Sequence, residues 1–537
     1  MPVHDYIVVG SGCSGAIAAQ TLVEAGANVT MLDVGVQNDS AVKIPAGDFI
    51  TLRKTDPLQY RYFIGDNAKG VSWGKIGTGA QITPTRRFIM NLVNHLTPLQ
   101  SSTFLSFESL AYGGMGSGWS LQSWEYSKAD LSAAGLDCSK MKQSYDYLAS
   151  TIGVSASNND ATRPVTGSFK NYQPAAKMDR NNAYMYAKYL ARKKRFNKQG
   201  ITLGQTPLAL LTKNLGRRQK YASTGMGFYS DNGNSAWRPG ITVDQLKKRS
   251  NFSYVGNCLV ISFVEKTGFT EVHCLQVDTG KLVVFRCRTL VLGTGALASA
   301  RIVLRSFQDT RAKLPFLSNA YTYVPCLQPN MLGKAAETNK LNFAQLSLFL
   351  DKAKLGEKAS MASLHSYQSL MLFRIVTQVP FNFVDARILM RYLSPGVIIM
   401  GVYHPDAPSK DKYVRLVPDA KSPTGDTLNV EYALSDEEAK EFKRREKIFM
   451  KAMRKMGAYP LKRINPGFGT AIHYGGTLPF SDTEKPYTLS RAGRLHGTKR
   501  VYVADSSGFT YLPSQGLTFS IMANARVIAQ EALYGNQ

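Results

Sequence analysis

The sequence predicts an α/β protein built on a doubly wound, Rossmann-like parallel sheet, and three segments carry that prediction. Residues 5–33, 289–306 and 501–533 each begin with a short apolar, β-branched run and continue into a stretch compatible with a helix. Strands that alternate with helices in this way form parallel sheets with helices on both faces. Because the segments lie at the two ends and in the middle of the chain, we expect one domain that the chain leaves and re-enters.

The first segment contains a glycine pattern typical of dinucleotide binding. An apolar run ends in Gly10-Ser-Gly12-Cys-Ser-Gly15, and a second apolar run ends at Asp33. Gly10 permits a tight turn, Gly12 lets the backbone approach a pyrophosphate, and Gly15 lets helix and strand pack closely, while the helix N-terminus offers N–H groups to phosphates. Asp33, at the end of the second strand, is placed to accept hydrogen bonds from a ribose. The alternative is a glycine-rich turn used for packing only.

The other two segments indicate which dinucleotide is bound. Thr289–Ala296 is a buried strand that runs into a Gly-x-Gly turn, and a helix is expected over 297–306. Val501–Asp505 is a further strand that ends in an acidic residue, and a helix is expected over 518–533. A nucleotide domain that begins near residue 5 and closes after residue 500 holds a long insertion between its halves. That layout suits FAD, whose isoalloxazine ring projects from the nucleotide domain into a second domain.

Length and composition predict a globular protein of two domains. The chain has 537 residues, of which 44% are hydrophobic and 19% are charged, and single cores stop growing near about 250–300 residues. The first strand starts within a few residues of Met1, so we expect no N-terminal targeting segment. Six cysteines occur without CxxC pairs or nearby histidines, which predicts reduced thiols, no metal site and a cytoplasmic protein.

A strong positive charge is the unusual feature of the composition. The chain carries 65 Lys and Arg against 38 Asp and Glu, a formal charge of +27, and basic clusters lie in 188–195, 213–220 and 440–463. This charge predicts an anionic partner, which is a membrane surface, a phosphorylated substrate or another protein. A solvated basic surface without a partner is the alternative. Nucleic acid is not expected, because no recognised nucleic-acid-binding module accompanies the charge.

One apolar stretch, residues 369–403, bears on the same question. It is interrupted by Pro380 and by charged residues that include Arg374 and Asp385, so it has no uncharged run long enough to span a bilayer. Two alternatives remain for it: packing against the sheet of the second domain, or lying in a membrane interface. The second alternative adds peripheral contact with the inner face of a membrane to the expected location.

A second glycine-rich loop and a late histidine motif resemble one enzyme family. The loop, residues 110–124, contains Gly113-Gly-Met-Gly-Ser-Gly-Trp119, and repeated glycines without a helical period suggest backbone lying against a flat ligand. Gly469-Thr-Ala-Ile-His-Tyr-Gly-Gly-Thr477 follows near the C-terminus. Together with 5–35 and 289–304, these motifs resemble the glucose-methanol-choline (GMC) family of FAD-dependent oxidoreductases. The pattern is most similar to a bacterial subgroup associated with sugar and aminoglycoside oxidation.

The resemblance implies an FAD domain assembled from three pieces of the chain and an inserted α+β substrate domain with an antiparallel sheet. It also implies non-covalent FAD, since no flavin-attachment histidine is recognisable upstream. The implied FAD domain comprises 1–155, 246–310 and 466–537, with 110–124 covering the flavin, and the implied substrate domain comprises 156–245 and 311–465.

The resemblance also assigns residues to the cofactor. It implies that Gly10, Gly12, Gly15 and Asp33 bind the ADP part of FAD, with Ser14 in the same loop. The other cofactor residues that it implies are Gly114 and Ser117 over the flavin, Val260 at the adenine, Gly295 in the second Gly-x-Gly turn, Asp505 beside the pyrophosphate and ribityl chain, and Thr518 at the start of the last helix.

Oxidation of an alcohol needs a base, and His473 is the candidate. As hydride leaves the carbon for the flavin, a base in front of the flavin ring has to take the hydroxyl proton. Histidine suits this role because its pKa lies near neutrality. The resemblance places the family's base in a His-x-x-Gly-Thr motif, which His473 to Thr477 reproduces. Considered alone, a histidine between an apolar strand and a glycine turn is more often structural.

The chain departs from the family pattern at the second active-site position. The family has a histidine or asparagine just before the final helix, whereas this chain has Gly516, preceded by Gln515. The Gln515 side chain would supply the missing amide only if the turn shifted by one residue. Such a shift would rotate the first turn of the helix by about 100° and displace Thr518 and Ile521 from the face they pack. We therefore predict that the register is kept and that His473 works without an amide from this turn.

Two functions from different classes stay open. The first is an FAD-dependent oxidoreductase that acts on a sugar or a similar polar alcohol, with His473 as base. The second is a catalytically silent GMC-like flavoprotein, retained as a structural or assembly subunit of a larger or membrane-associated complex. The basic surface and Gly516 would be the signs of the second function.

Overall fold

Strands from both ends of the chain and from residues 252–292 build one sheet, and other strands between residues 201 and 460 build a second. The structure is a computed structural model that describes residues 3–37, 49–59, 61–62, 88–157, 162, 166–167, 170–222, 231, 233–335, 337, 341, 343–352, 357–366 and 380–535. Its strands are β1 (Val3–Val9), β2 (Val29–Leu32), β3 (Leu99–Gln100), β4 (Ser155–Ala156), β5 (Gln173–Pro174), β6 (Ile201–Gln205), β7 (Phe252–Val255), β8 (Cys258–Glu265), β9 (Thr270–Gln276), β10 (Leu282–Leu292), β11 (Leu314–Pro315), β12 (Leu317–Ser318), β13 (Tyr321–Leu327), β14 (Leu346–Lys352), β15 (Glu357–Ser366), β16 (Val397–Tyr403), β17 (Lys412–Pro418), β18 (Asp426–Tyr432), β19 (Tyr459–Pro460), β20 (Tyr474–Gly475) and β21 (Val501–Val503). Its α-helices are α1 (Cys13–Glu24), α2 (Phe49–Thr55), α3 (Val93–Leu96), α4 (Lys128–Ala133), α5 (Cys138–Leu148), α6 (Arg180–Leu190), α7 (Lys193–Asn197), α8 (Pro239–Leu246), α9 (Ala296–Ser306), α10 (Phe383–Leu393), α11 (Asp436–Lys455) and α12 (Thr518–Tyr534).

The first sheet carries the glycine loop. Its strand order is β7-β2-β1-β10-β9-β8, and β21 also pairs with β10. The strands β7, β2, β1, β10 and β21 are parallel to their neighbours, whereas β9 and β8 complete the sheet as antiparallel strands. The predicted strand, helix and strand at the N-terminus and the helices predicted over 297–306 and 518–533 are all present. The predicted doubly wound α/β class is confirmed.

Small side chains let α1 lie buried on two sides. The helix packs against the parallel strands and also against α12 and α8. Ala16, Ile17, Ala18 and Ala19 are all fully buried, so this helix has no continuous polar face. A helix that is apolar on every side belongs in the interior of a large domain. Its N-terminus is thereby held at the carboxyl ends of β1 and β2, where α/β sheets bind ligands.

The second sheet is antiparallel and contains six strands in the order β19-β13-β16-β15-β14-β6. One face packs on α6 and α11, with Val324 and Met400 fully buried against Phe449. The helix α11 begins with a capping box formed by Ser435 and Glu438, which satisfies the first free N–H groups of the helix. The antiparallel sheet implied for the second domain is confirmed, while the five implied domain bounds stay predictions. The opposite face of this sheet turns towards the first sheet and borders the site described below.

The apolar stretch 369–403 divides into parts that behave differently. Residues 369–379 lie outside the described residues, and β16 lies inside the antiparallel sheet. On α10, Val384, Ile388 and Tyr392 are 58%, 61% and 53% exposed and follow one another at i, i+4 and i+8 on one face. Among the helices that the structure describes, none is long and apolar enough to cross a membrane. The strand therefore packs in the sheet, while the helix presents an apolar stripe to solvent.

Candidate active site

A cavity of about 1000 Å³ lies between the carboxyl ends of the parallel strands and the open face of the antiparallel sheet. This volume is at the upper end of the range for pockets that hold cofactors. Of the predicted cofactor residues, those that line the cavity are Gly10, Gly12, Ser14, Asp33, Gly114, Val260, Gly295 and Thr518. Those that do not line it are Gly15, Ser117 and Asp505. The candidate base His473 lines the same cavity.

The three glycines of the first loop have different surroundings. Gly10 has a φ of +92°, which favours glycine, and so permits the turn that the pattern predicts. A Cβ atom on Gly15 would lie 1.8 Å from the carbonyl oxygen of Gly10, so this glycine is required for close packing of α1 on β1. A Cβ atom on Gly12 would meet nothing within 4 Å, because this residue faces the open cavity. The loop thus leaves its free space at the N-terminus of a helix, where anions bind well.

Asp33 is held rigidly at the edge of the cavity. Its carboxylate accepts hydrogen bonds from the Ser11 hydroxyl and, at 3.1 Å, from the Tyr254 hydroxyl. Burial raises the pKa of Asp33 to about 6, although both hydroxyl donors oppose that rise. The carboxylate is therefore oriented by two side chains before any ligand arrives, as a group that recognises a ribose should be.

The second glycine loop lies directly on the first. A Cβ atom on Gly114 would lie 3.2 Å from the Cα atom of Gly12, and the φ of Gly114 is +54°. Ser117, which was predicted to contact the flavin, turns the other way. Its hydroxyl donates to the Tyr112 carbonyl at 2.7 Å, and the residue borders a separate cavity that Arg238 also lines. The structure therefore brings Gly114 to the main cavity and does not bring Ser117 there.

Asp505 is also not at the cavity wall, because its carboxylate is occupied by protein groups. It accepts hydrogen bonds from the Gly295 N–H at 2.8 Å, the Ser299 hydroxyl at 2.6 Å and the Ser507 N–H at 2.9 Å. The side chain joins the end of β21 to the turn that begins α9. The next residue, Ser506, lines the cavity instead. The role that the structure supports for Asp505 is to hold the Gly295 turn in place.

His473 faces the cavity from the segment that leads into β20. Its Nδ1 atom is 2.9 Å from the Oδ1 atom of Asn319, and its ring stacks on the Tyr403 ring with centroids 5.4 Å apart. Burial lowers the pKa of His473 to about 4. The imidazole is therefore neutral at pH 7, which is the state in which a histidine can accept a proton.

The cavity wall near His473 is formed by uncharged side chains of the antiparallel sheet. Tyr321, Tyr323 and Tyr403 form a row of rings, with 6.4 Å between the centroids of the first two and 4.7 Å between Tyr321 and Tyr403. Ile399 and Met361 extend the same wall. His365 of β15 also lines the cavity, so the wall combines a packing surface for a neutral ligand with one imidazole.

The C-terminal part of the chain matches a known protein family in sequence. Residues 413–525 match the sequence model of a family described as GMC oxidoreductase. The chain carries a GMC oxidoreductase domain. The resemblance predicted from the motifs is confirmed, and the match supports a flavin-dependent oxidoreductase that acts on CH–OH groups.

The fold of the chain also resembles a solved structure. The crystal structure of pyridoxine 4-oxidase from Mesorbium loti aligns with 99% of this chain and 99% of its own chain, with a TM-score of 0.60 and 13% sequence identity. Similarity at this level shows a shared fold. No curated protein matches the chain in sequence.

The turn before the last helix directs Gln515 away from the cavity and Gly516 towards it. Gln515 does not reach the cavity, since its amide nitrogen donates to the Asp130 carboxylate at 3.0 Å and the residue is 1% exposed. Gly516 lines the cavity instead. A Cβ atom there would lie 3.7 Å from the Cβ atom of Gln122. The tentative catalytic role for Gln515 is therefore not supported, because the turn that would bring its amide to His473 does not shift.

Several site residues carry no signal that a motif search would find. Ser11 lies inside the glycine pattern, so its position beside Asp33 follows from local geometry. Tyr254 and Asn319 come from distant segments with no recognisable motif, and only packing brings them to Asp33 and His473. Sequence reasoning therefore found the loop and the candidate base that line the cavity but missed the groups that orient them.

Proposed function

We propose that this GMC oxidoreductase binds FAD non-covalently and oxidises a neutral, sugar-like alcohol, with His473 as the base. The observation that supports this best is that His473 and the glycine loop line one continuous cavity. A dinucleotide bound at the loop would extend towards the imidazole, across a space whose volume suits a large cofactor. The open direction at Gly12 fits a pyrophosphate, since no protein atom lies within 4 Å of the Cβ position.

The residues proposed to hold FAD are those of the predicted set that face the cavity. Gly10, Gly12 and Ser14 present the start of α1 to the pyrophosphate, and Asp33 accepts from the ribose. Val260, Gly114, Gly295 and Thr518 contribute the remaining wall. When bound, the flavin supplies the acceptor for the hydride of the alcohol.

The role proposed for His473 is to take the hydroxyl proton. Its Nδ1 atom is engaged by Asn319, so Nε2 is the ring atom left to face a substrate hydroxyl. A ring with a pKa of about 4 is unprotonated throughout the neutral pH range. The tyrosine row and Ile399 would pack against the body of the alcohol, as suits a neutral sugar or a similar polyol.

The test is anaerobic reduction of the bound flavin by a panel of alcohols. His473→Ala should leave the flavin spectrum nearly intact and slow substrate-dependent bleaching by roughly 10²-fold to 10⁴-fold, the usual worth of a positioned base. His496→Ala is the matched control, because that ring contacts Thr488 away from the cavity. An unchanged rate in His473→Ala would remove this residue from the mechanism.

A catalytically silent flavoprotein is the second candidate, and Gly516 is the observation that favours it. The second active-site position carries no side chain, so no group there can bind the alcohol oxygen. A flavin that dithionite reduces but that no alcohol of the panel bleaches would favour this assignment. It would then be tested as a subunit of a larger or membrane-associated complex.

Location and partners remain proposals drawn from the sequence. The charge of +27 supports an anionic partner or an anionic membrane surface. A cytoplasmic location, with peripheral contact at the inner face of a membrane, is consistent with the exposed stripe on α10. Fractionation of cells at low and high salt would test the electrostatic part, because salt weakens contacts between surface charges.

A further inference from the structure

Asn319 occupies a buried position directly behind the candidate base. It follows β12 and is 1% exposed. Its Oδ1 atom lies 2.9 Å from Nδ1 of His473, 154 residues further along the chain. A contact this close joins the two side chains by a hydrogen bond, and the direction of that bond depends on which way the Asn319 amide faces.

The surroundings of the Asn319 amide nitrogen settle its orientation. The Nδ2 atom lies 2.8 Å from the His404 carbonyl oxygen, 3.1 Å from that of Pro513 and 3.5 Å from that of Leu512. Carbonyl oxygens only accept hydrogen bonds. The opposite amide orientation would place the Asn319 oxygen against three other oxygens in a buried site, which is strongly unfavourable.

The fixed amide dictates where the proton of the imidazole lies. The Asn319 oxygen can only accept, so the neutral His473 ring must carry its hydrogen on Nδ1 and donate it to Asn319. Nε2 then has the free lone pair. We infer that Asn319 is the positioning residue that holds His473 as the Nδ1–H tautomer and thereby makes Nε2 the proton acceptor. This inference rests on the proposed function, in which His473 takes the hydroxyl proton.

The segments around Asn319 are bonded to one another, so the amide has little freedom to turn. Asp406 accepts hydrogen bonds from the Ser318 N–H at 2.8 Å and from Lys412 Nζ at 2.7 Å. The backbones of Asp406 and Leu512 exchange two hydrogen bonds, at 2.8 and 2.9 Å. The His404 N–H donates to the Ala320 carbonyl at 3.0 Å. The residues before and after Asn319 and the carbonyls that it binds therefore belong to one buried network, which is how an orienting group is kept in place.

This arrangement explains how the chain tolerates Gly516. The Asn319 amide binds the carbonyls of Leu512 and Pro513, in the same segment that leads to Gly516. One amide thus links the imidazole to the turn from behind, on the side away from the cavity. The orientation of His473 is secured without a side chain at position 516.

The experiment is ¹⁵N NMR of the flavin-loaded protein labelled with [¹⁵N]histidine, combined with anaerobic flavin reduction. The chain has seven histidines, and the His473 signals are identified by their absence from His473→Gln. We expect the wild-type ring nitrogens to show Nδ1 protonated and Nε2 unprotonated at pH 7. In Asn319→Leu, which removes both the acceptor and the donor, this preference should be lost, and flavin reduction should slow by about 10-fold to 100-fold.

Two further variants separate positioning from stability. Asn181→Leu is the matched control, because Asn181 is also 1% exposed and donates to a backbone carbonyl, that of Pro395, but does not contact His473. It should leave the His473 signals and the reduction rate unchanged. Asn319→Asp keeps an acceptor at Nδ1, and its second oxygen, which would face the three carbonyls, should hold a proton that replaces the amide donor. This variant should therefore retain the Nδ1–H tautomer and a reduction rate close to that of the wild type.

The inference fails if wild-type His473 is protonated on Nε2, or if Asn319→Leu retains both the wild-type tautomer and the wild-type rate. Should Asn319→Leu not fold, the tautomers seen in the wild-type and Asn319→Asp spectra still decide it. A wild-type reduction rate in His473→Ala would instead refute the proposed function, and the tautomer would still report whether Asn319 holds the ring.

Discussion

Alanine substitutions at Gly15 and Gly12 should separate a packing glycine from a cofactor glycine within one loop. At Gly15 the new Cβ atom would lie 1.8 Å from the Gly10 carbonyl oxygen and 2.9 Å from its carbon, both backbone atoms. Ordinary contacts between such atoms are about 3.5 Å, so α1 and the turn after β1 would have to separate by roughly 1.5 Å. Overpacking of a core in this way costs about 3 kcal/mol or more.

At Gly12 the same substitution meets no protein atom within 4 Å. Gly12 is the N-cap of α1 without a side-chain cap, so exchanging it for alanine should cost no more than about 1 kcal/mol. The methyl group would project into the cavity, where the pyrophosphate of FAD is proposed to approach. We therefore expect a folded protein that retains little flavin.

Thermal unfolding of flavin-free protein and release of flavin on denaturation measure the two effects. Gly15→Ala should lower the melting temperature by on the order of 5 °C or more, in keeping with a loss of about 3 kcal/mol. Gly12→Ala should change it little, while its flavin content falls below about one tenth of wild type. Full flavin content in Gly12→Ala would refute the proposed position of the pyrophosphate, and an unchanged melting temperature in Gly15→Ala would refute the packing argument.

Further predictions concern the base, the vacant family position and the exposed helix. Because burial lowers the pKa of His473 to about 4 from an unfolded value near 6.5, the unfolded chain binds this proton first, so stability should fall as pH drops from about 6.5 to 4. Flavin reduction should be flat between pH 6 and 8, and an apparent pKa near 7 would contradict the buried, neutral ring. Gly516→Asn should fold normally, since its Cβ atom would lie 3.7 Å from that of Gln122. The new amide should add one hydrogen bond to the alcohol oxygen and so speed flavin reduction by about five-fold. Slower reduction would show that an amide at this position does not help the reaction. The wild-type protein should sediment with anionic vesicles, and Ile388→Glu should abolish this binding. Leu282→Glu, which changes another exposed side chain, should keep it. Equal binding by both variants would exclude α10 as the membrane contact.

Local sequence was enough to predict the parts of the fold that neighbouring residues determine. The first strand, helix and second strand follow one another within residues 5–33, and their glycine spacing is set by the sterics of one turn. Apolar runs that end in Gly-x-Gly or in an acid placed the further segments near 290 and 505 in the same sheet. The His473 motif could be recognised for the same reason, since it is contiguous.

Side-chain direction in loops was the first thing that local pattern did not determine. Ser117 lies in the predicted glycine loop, yet its hydroxyl bonds the Tyr112 carbonyl and faces a different cavity. Gln515 lies one residue before the family position, yet its amide bonds Asp130, a partner 385 residues away. A loop residue points wherever its polar atoms find partners, and those partners are chosen by the packing of distant segments.

The sequence by itself therefore determined the sheet, the nucleotide loop and the candidate base, because each depends on residues that are close in the chain. Only the tertiary structure decided how these groups are oriented. Tyr254 reaches Asp33 from 221 residues away, and Asn319 reaches His473 from 154 residues away. A buried hydrogen bond of this kind requires two segments to be packed within about 3 Å, and no short pattern in either segment encodes that distance.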